Sequence, residues 1–306
     1  MFKDLLLPLD GSKLSEASLE PARYIAKKLK SRITLLHIIE EDAPKEVHHD
    51  RHLTEPGEAE AYLKSVARKI FIKGSTTARG AASRVKIHVH RAPVNDVAAS
   101  IARHAEIEFK PSLIIISSHG QSGIKSFLFG SIAQQIVSRG KTPLLIIKPD
   151  SGPFRIKRVL VPLDPESGHD ITLSTAQSLG KIFGARIHLA SVVPTLGTLS
   201  GEQAAAGNLM PGTTQVLLDI REQNTSTDLA EHVNEFEKQR LPVEAHVLRG
   251  EPVTEILHAA EVLKIDLIVL STHGKTGTRA FWARSVAPKI AQQTHIPILL
   301  IPLPEH

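Results

Sequence analysis

Short runs of apolar residues alternate along this chain with longer stretches in which apolar positions recur with helical spacing. The runs at 5–9, 113–117 and 144–147 are apolar at almost every position, as expected for strands that are covered on both faces of a parallel sheet. Stretches between them, such as 15–30, place an apolar residue every three to four positions, which predicts amphipathic helices. The pattern therefore predicts an α/β protein.

The predicted order of elements is the same in both halves of the 306-residue chain. The first half has predicted strands at 5–9, 33–39, 85–90, 113–117 and 144–147 and predicted helices at 15–30, 57–72, 93–106 and 131–138. The second half has predicted strands at 159–163, 187–193, 243–248, 267–271 and 298–301 and predicted helices from Asp170, around 216–239, from Pro252 and from Ser285. Five strand–helix units per half predict two tandem doubly wound domains, each a five-stranded parallel sheet with helices on both faces, of the Rossmann-like type that binds adenine nucleotides.

One offset of 154 residues relates the two halves. It holds at three separated landmarks, which are Asp10 with Asp164, Gly120 with Gly274, and 143–146 with 297–300. A fixed period at separated landmarks indicates an internal duplication. We therefore predict domains at 1–150 and 155–306, joined by a short linker that contains two prolines and a glycine.

A loop motif follows the fourth predicted strand of the first half. Ser118-His119-Gly120 is separated by nine residues from Gly130-Ser131, where the next helix is predicted to begin. Gly120 would let backbone N–H groups approach an anion without a Cβ in the way, and a helix N-terminus with a serine suits a phosphate. Gly120 could instead only end the strand and Ser131 only cap the helix. The spacing favours phosphate binding.

The second copy of this motif is altered at one position. Thr272-His273-Gly274 is separated by nine residues from Arg284-Ser285, so that an arginine stands where the first copy has a glycine. A side chain of that size would enter the phosphate space, although a guanidinium can also pair with a phosphate. We expect the second site to be degenerate.

Composition and charge narrow the class of protein. The chain has no cysteine, which excludes disulfides and fits a reducing compartment, and no apolar run approaches the ~20 residues that span a bilayer. Its first residues do not read as a signal peptide. The net charge of +5 comes from basic residues interleaved with acidic ones, without the dense basic block that is typical of nucleic-acid binding. We expect a cytoplasmic protein that binds neither membranes nor nucleic acid.

Together these motifs resemble those of the universal stress proteins, and over essentially the whole chain the sequence looks like two such domains fused head to tail. The nucleotide-binding branch of that family carries G-x-x-G, nine residues and then G-S or G-T after the fourth strand. It also has an aspartate after the first strand and an apolar residue at the end of the second. In the first half of this chain, Ser117 replaces the leading glycine and the other three fixed positions match.

The resemblance implies a site for ATP, accompanied by Mg²⁺, mainly in the first half. Asp10 would lie near the adenine or ribose, and the backbone of Ile38 would face the adenine edge. The implied set is Pro8, Leu9, Asp10, Ile38, Ser117, His119, Gly120, Gly123, Gly130 and Ser131, and the degenerate second site keeps Asp164, Val192, Gly274 and Ser285. Taken alone, Asp10 is better explained as a turn residue or a helix cap. Its position at a carboxyl strand end, facing the same crevice as Gly120, favours the binding role equally.

The resemblance also implies a mode of action and of assembly. Family members pair domains along their last strands, so 144–147 is expected to pair with 298–301 in an intramolecular pseudo-dimer, and two chains could associate as a homodimer. Nothing in the sequence resembles a catalytic base or a Walker lysine, so we expect a regulatory stress-response protein with at most slow ATP hydrolysis. A scaffold that binds no nucleotide, or instead a small ligand or a partner, and an ATPase are the alternatives.

Two long connections could cover the predicted crevice. The first contains His48, His49 and His52, a density of histidines that can bind zinc, but their spacing is not that of ligands on one helix face. We interpret it as a solvated loop without a native metal. The connection at 194–211, rich in Gly, Thr and Ala, is expected to be the matching loop of the second half.

Overall fold

The computed structural model describes residues 1–41, 46–47, 50–51, 53–72, 84–93, 96–118, 133, 135–137, 141–149, 151–164, 170–273 and 286–303. These residues form two compact units. The first unit contains the described residues up to Arg155 together with 271–273 and 295–303, and the second contains those from Ile156 to Leu270 together with 286–294. The domain limits 1–150 and 155–306 stay a prediction.

The first unit alternates strands and helices. In chain order its elements are β1 (Asp4–Pro8), a 3₁₀ turn (Ser15–Ser18), α1 (Leu19–Leu29), β2 (Arg32–Glu40), the short antiparallel pair β3 (Glu46–Val47) and β4 (Asp50–Arg51), α2 (Pro56–Ile72), β5 (Val85–Ala92), α3 (Val97–Arg103), a π-helical turn (His104–Phe109), β6 (Leu113–Ser117) and β7 (Leu144–Ile147). Residues 133 and 135–137 are also helical.

Five parallel strands of the first unit stand in the order β7-β6-β1-β2-β5. The chain therefore moves outward from β1 through β2 to β5 on one side, and then crosses to β6 and β7 on the other side. The order reverses between β1 and β6, which makes the gap at their carboxyl ends the topological switch point of this sheet.

The core of the first unit consists of the strands that the apolar runs predicted. Leu5, Leu6 and Leu7 in β1 are at most 1% exposed, as are Leu113 and Ile115 in β6. Burial of these strands on both faces requires helices on both sides of the sheet. The predicted α/β class with a mostly parallel sheet is confirmed.

The last strand of the chain, β12 (Ile298–Leu303), pairs antiparallel with β7 in the first unit. Ile298, Leu299 and Leu300 lie opposite Ile146, Leu145 and Leu144, respectively. The family resemblance implied that 144–147 and 298–301 pair.

The second unit repeats the order of the first. Its elements are β8 (Arg158–Pro162), α4 (Asp170–Phe183), β9 (Arg186–Val193), a 3₁₀ turn (Leu196–Thr198), α5 (Gly201–Leu209), α6 (Pro211–Lys238), β10 (Val243–Arg249), α7 (Pro252–Val262), the start of β11 (Leu267–His273) and α8 (Val286–Gln293). Its strands β10, β9, β8 and β11 are adjacent in that order and parallel. Among the described helices, none is both long and apolar enough to cross a bilayer.

The helix predicted at 93–106 is displaced in the structure. Pro93 lies outside it, α3 begins at Val97, and the helix continues as a π-helical turn to Phe109. The ring of His104 bonds back to the Ser100 carbonyl oxygen, one turn earlier in the same helix, at 2.7 Å. The prediction that the proline occupies the first helical turn was therefore wrong.

The expectation that 194–211 is a loop was also wrong. Most of this connection is helical, in a 3₁₀ turn at Leu196–Thr198 and in α5 at Gly201–Leu209. Its glycines and threonines suggested a loop, but the run Gln203–Ala206 consists of strong helix formers. Pro211 then occupies the first turn of α6, where a proline is well tolerated.

Candidate nucleotide site

Two of the predicted site residues lie at the switch point of the first sheet. Asp10 follows the carboxyl end of β1, and Ser117 is the last residue of the neighbouring strand β6. Because β1 and β6 are parallel, their carboxyl ends open at the same edge. This is the edge at which open α/β sheets bind ligands.

The turn after β1 is fixed by its own hydrogen bonds. The Asp10 Oδ1 atom accepts a hydrogen bond from the backbone N–H of Ser12 at 2.9 Å, and Gly11 between them has φ +93°. Few residues other than glycine adopt that conformation. Asp10 is therefore a turn residue, as the simpler interpretation held, and the turn keeps its carboxylate at the carboxyl end of β1.

The residues before Asp10 are held by β2. The N–H of Leu9, which is 3% exposed, donates to the carbonyl oxygen of Leu36 at 2.8 Å. Pro8, which is half-buried, lies opposite Leu36 in the strand register. The backbones of Pro8 and Leu9 therefore form part of the surface at this edge of the sheet.

The backbone of Ile38 lies beyond the last residue of β2 that pairs with β1. Peptide groups along a strand alternate between its two sides. The N–H of Ile33 points to β5, where it meets the Arg84 carbonyl oxygen at 2.8 Å, whereas Leu36 points to β1. Ile38 lies two residues beyond Leu36 on that same side, past the last paired residue of β1. Its peptide groups therefore face the space beyond the end of β1.

A buried histidine lies at this edge and was not predicted from the sequence. His37, on β2, is 1% exposed. Its Nδ1 atom lies 2.7 Å from the Leu9 carbonyl oxygen, and its Nε2 atom lies 3.2 Å from the Leu53 carbonyl oxygen. The ring thus ties the end of β1 to the chain that precedes α2. His37 is the single polar residue in the run 35–39, and this was the signal that could have identified it.

A lysine that was also not predicted follows β7 at the same edge. The N–H of Ser118 donates to the Ile147 carbonyl oxygen at 2.8 Å, so the chain after β6 runs beside the residue that precedes Lys148. Burial lowers the pKa of the Lys148 ammonium group. A partly desolvated cation at a strand end suits an anionic ligand.

The second unit repeats the floor of the crevice. The N–H of Leu163 donates to the Ala190 carbonyl oxygen at 2.7 Å, which matches the Leu9–Leu36 bond after the 154-residue offset. Asp164 is exposed after β8, and Val192 is half-buried on β9.

The remaining predicted positions lie outside the described residues. They are His119, Gly120, Gly123, Gly130 and Ser131 of the first motif, Gly274, Arg284 and Ser285 of the second, and His48, His49 and His52 of the histidine-rich loop. The structure therefore brings together Pro8, Leu9, Asp10, Ile38 and Ser117 of the first predicted set.

Comparison with known proteins identifies the class of this doubly wound tandem fold. The model of the Universal stress protein family matches residues 1–148 and again 155–302. The chain belongs to the universal stress protein family.

Two relatives match about half of this chain, and one solved structure matches nearly all of it. It is 26% identical over 152 residues to Universal stress protein MJ0531 of Methanocaldococcus jannaschii, with 49% of this chain and 84% of that protein covered. It is 26% identical over 149 residues to Universal stress protein YxiE of Bacillus subtilis, with 48% of this chain and 100% of that protein covered. A crystal structure of a universal stress protein from Archaeoglobus fulgidus matches with a TM-score of 0.69 and 23% identity over 99% of each chain, which shows a shared fold.

Proposed function

We propose that this chain is a cytoplasmic stress-response regulatory protein that binds ATP, with Mg²⁺, in its first half. The observation that supports the proposal is that Asp10, Ser117 and Ile38 all lie at the carboxyl edge of the first sheet, where β1 ends between β6 and β2. A carboxylate suits ribose hydroxyls, a strand-edge peptide suits an adenine edge, and the glycine motif that follows β6 suits phosphates.

Binding rather than rapid turnover is the function that this arrangement favours. Phosphoryl transfer needs a group that orients the attacking nucleophile and cations that stabilise the transferred phosphoryl group. The Asp10 Oδ1 atom accepts a hydrogen bond from the Ser12 N–H, which fixes the carboxylate at the end of β1, where we propose that it contacts the ligand. We propose that ATP is retained, with hydrolysis slow at most.

Calorimetric titration of the purified full chain with ATP and Mg²⁺ tests this proposal. We expect one ATP per chain, and we expect Gly130→Arg, which places the arginine of the second motif in the first, to abolish most of the binding. Gly212→Arg is the matched control, because Gly212 lies in α6 with open space for a side chain. The absence of binding heat at millimolar ATP, together with no nucleotide released on denaturation, would overturn the proposal.

We propose further that the two halves act as an intramolecular pseudo-dimer and that two chains associate as a homodimer. The antiparallel pairing of β12 with β7 supports the first part. Light scattering after size-exclusion chromatography tests the second part, for which we expect twice the chain mass. A monomer at tens of micromolar protein would contradict it.

A further inference from the structure

A cluster of three histidines lies apart from the nucleotide crevice, on one face of the first sheet. His88 and His90 are alternate residues of β5 and so project from the same face of the strand, and His104 lies in the π-helical turn that packs there. The ring centroids of His90 and His104 are 4.4 Å apart, and those of His88 and His104 are 5.3 Å apart. One ring nitrogen of each lies within 4.8 Å of the others.

His104 is held in the orientation and tautomer of a metal ligand. It is 6% exposed, and its Nδ1 atom lies 2.7 Å from the Ser100 carbonyl oxygen. A carbonyl oxygen can only accept, so the Nδ1 atom carries the proton and the Nε2 atom keeps its lone pair. Metal-binding histidines are commonly fixed in this way by a second hydrogen bond.

His88 presents a ring nitrogen that has no partner among the described residues. Its Nε2 atom is fully buried without a hydrogen bond. Leaving a polar atom buried and unpaired costs about 1–3 kcal/mol, so most such atoms in native proteins have a partner. An ion in the cluster would supply one.

A carboxylate and an aromatic ring complete the surroundings. Glu108 follows His104 by one helical turn, and its two oxygens lie 3.5 Å from His104 Nε2 and 3.8 Å from His88 Nδ1. The ring of Phe109 covers the cluster, with its centroid 5.1 Å from that of His88 and 5.8 Å from that of His104. A negative charge beside a partly apolar wall favours a bound cation.

The donor set selects the kind of metal. Imidazole nitrogen suits Zn²⁺ and its transition-metal neighbours, whereas Mg²⁺ and Ca²⁺ prefer oxygen ligands. Tetrahedral zinc with bonds of about 2.0–2.1 Å separates its ligand nitrogens by about 3.3 Å. The histidine nitrogens already lie within 4.8 Å of one another, so small side-chain rotations close the site.

A second histidine cluster, in the other unit, differs from this one. His188 and His246 lie near Glu244, but His188 Nδ1 and His246 Nε2 are 3.1 Å apart and share a hydrogen bond, and Glu244 is paired with Arg186. The facing nitrogens of the two histidines and the Glu244 carboxylate are therefore already engaged, although the Nε2 atom of His188, like that of His88, is buried without a partner among the described residues. We use this cluster as the comparison in the test below.

We propose that His88, His90 and His104 bind one Zn²⁺ ion, with Glu108 as the fourth ligand. The site lies within one unit and uses none of the residues assigned to the nucleotide crevice. Its presence or absence is therefore independent of ATP binding.

Competition between the metal-free full chain and a chromogenic zinc chelator tests the proposal. The chain should carry His48→Asn, His49→Asn and His52→Asn, so that the histidine-rich loop contributes no zinc binding. We expect one Zn²⁺ per chain, and we expect His90→Phe, which keeps an aromatic ring in the cluster, to weaken binding at least about 100-fold, the upper end of what loss of an outer-shell partner costs. The control His246→Phe should leave the affinity unchanged.

Two further measurements keep the test decisive. Co²⁺ in place of Zn²⁺ should give the intense visible absorption of a tetrahedral site, and Glu108→Gln, at an exposed position that folding tolerates, should weaken zinc binding about tenfold. Circular dichroism shows whether His90→Phe has folded. The proposal would be overturned if the chain with the three asparagine substitutions bound no zinc. It would also be overturned if folded His90→Phe bound zinc as tightly as the chain that keeps His90.

Discussion

The Nδ1 atom of His37 lies 2.7 Å from the carbonyl oxygen of Leu9, the residue before Asp10. The Nε2 atom of the same ring lies 3.2 Å from the carbonyl oxygen of Leu53. A buried imidazole thus joins β2, the end of β1 and the chain before α2. We infer that His37 is a positioning residue for the turn that carries Asp10.

His37→Leu should destabilise the protein and weaken ATP binding together. The substitution removes the ring nitrogen that lies 2.7 Å from the buried Leu9 carbonyl oxygen, and loss of a buried hydrogen-bond partner costs about 1–3 kcal/mol in the free energy of unfolding. Urea titration followed by circular dichroism measures the first effect, and calorimetry measures the second. His258→Leu, at an exposed position on α7, is the control and should change neither. Full ATP affinity in His37→Leu would limit the role of His37 to stability.

Gly11→Ala should lower stability, whereas Gly57→Ala should not. Gly11 has φ +93°, and an added Cβ would lie 2.9 Å from Leu53 Cδ1, although that flexible side chain can shift. The backbone strain alone costs about 1–2 kcal/mol. Gly57, in the first turn of α2, has open space around it, so alanine there should be neutral or stabilising by about 0.5 kcal/mol. Equal melting temperatures for the two variants would refute this account of the turn.

Strands could be predicted from the sequence more accurately than the segments between them. The predicted bounds of β6 and β7 match the structure because every position in them except Ser117 is aliphatic and buried. The start of α3 was missed because Pro93 looked like a first-turn proline, whereas the helix begins at Val97. The composition of 194–211 also led to the wrong prediction of a loop, because glycines and threonines flank residues that form a helix.

The residues of the candidate site likewise fall into those that could be predicted from the sequence and those that could not. Asp10 and Ser117 could be placed at one edge because the repeat and the strand order fix where parallel strands end. His37 and Lys148 act through burial and through contacts across strands. The sequence marks His37 as a polar residue in an aliphatic run, but it does not show which groups either side chain contacts. The histidine pair of β5 alternates visibly in the sequence, but its partner His104 joins it only once the π-helical turn packs on the sheet.

Glu251→Ala should destabilise the second unit through loss of a helix cap. The Glu251 carboxylate accepts hydrogen bonds from the N–H and the hydroxyl of Thr254, at 2.8 Å and 2.9 Å, at the start of α7. Loss of an N-cap costs about 1 kcal/mol. Glu261→Ala, at the exposed end of the same helix, should have little effect in the same urea titration. An unchanged transition in Glu251→Ala would show that the cap contributes nothing.

The cap should also depend on pH. Partial burial raises the pKa of Glu251, but the hydrogen bonds from Thr254 outweigh this effect and bring the pKa below its ordinary value. A carboxyl group with a lowered folded pKa contributes stability above its unfolded pKa of about 4.3, and that stability is lost as the pH falls through the folded value. The difference in stability between the wild type and Glu251→Ala should therefore shrink from pH 7 to pH 3. A difference that grows toward acid would have the wrong sign for this mechanism.

His188 should make the protein sensitive to mild acid. Burial lowers the pKa of its imidazole; the Glu244 carboxylate opposes this shift, and the charges of His246, Arg186 and Arg158 add to it. Folding therefore favours the neutral ring. For a base with a lowered folded pKa, the stability is complete above the unfolded pKa of about 6.5 and is lost as the pH falls through the folded value.

His188→Gln should reduce the loss of unfolding free energy between pH 7.5 and pH 5.5, because glutamine does not take up a proton in this range. Urea titrations at both pH values, with a chelator present so that no metal contributes, measure that loss for the wild type and the variant. His258→Gln, exposed on α7, is the control and should keep the wild-type slope. The unfolded wild-type chain takes up a proton at His188 that the folded protein excludes. The mechanism therefore requires the free energy of unfolding to fall less between pH 7.5 and pH 5.5 in His188→Gln than in the wild type. Equal slopes in the two variants would assign the acid sensitivity to other groups.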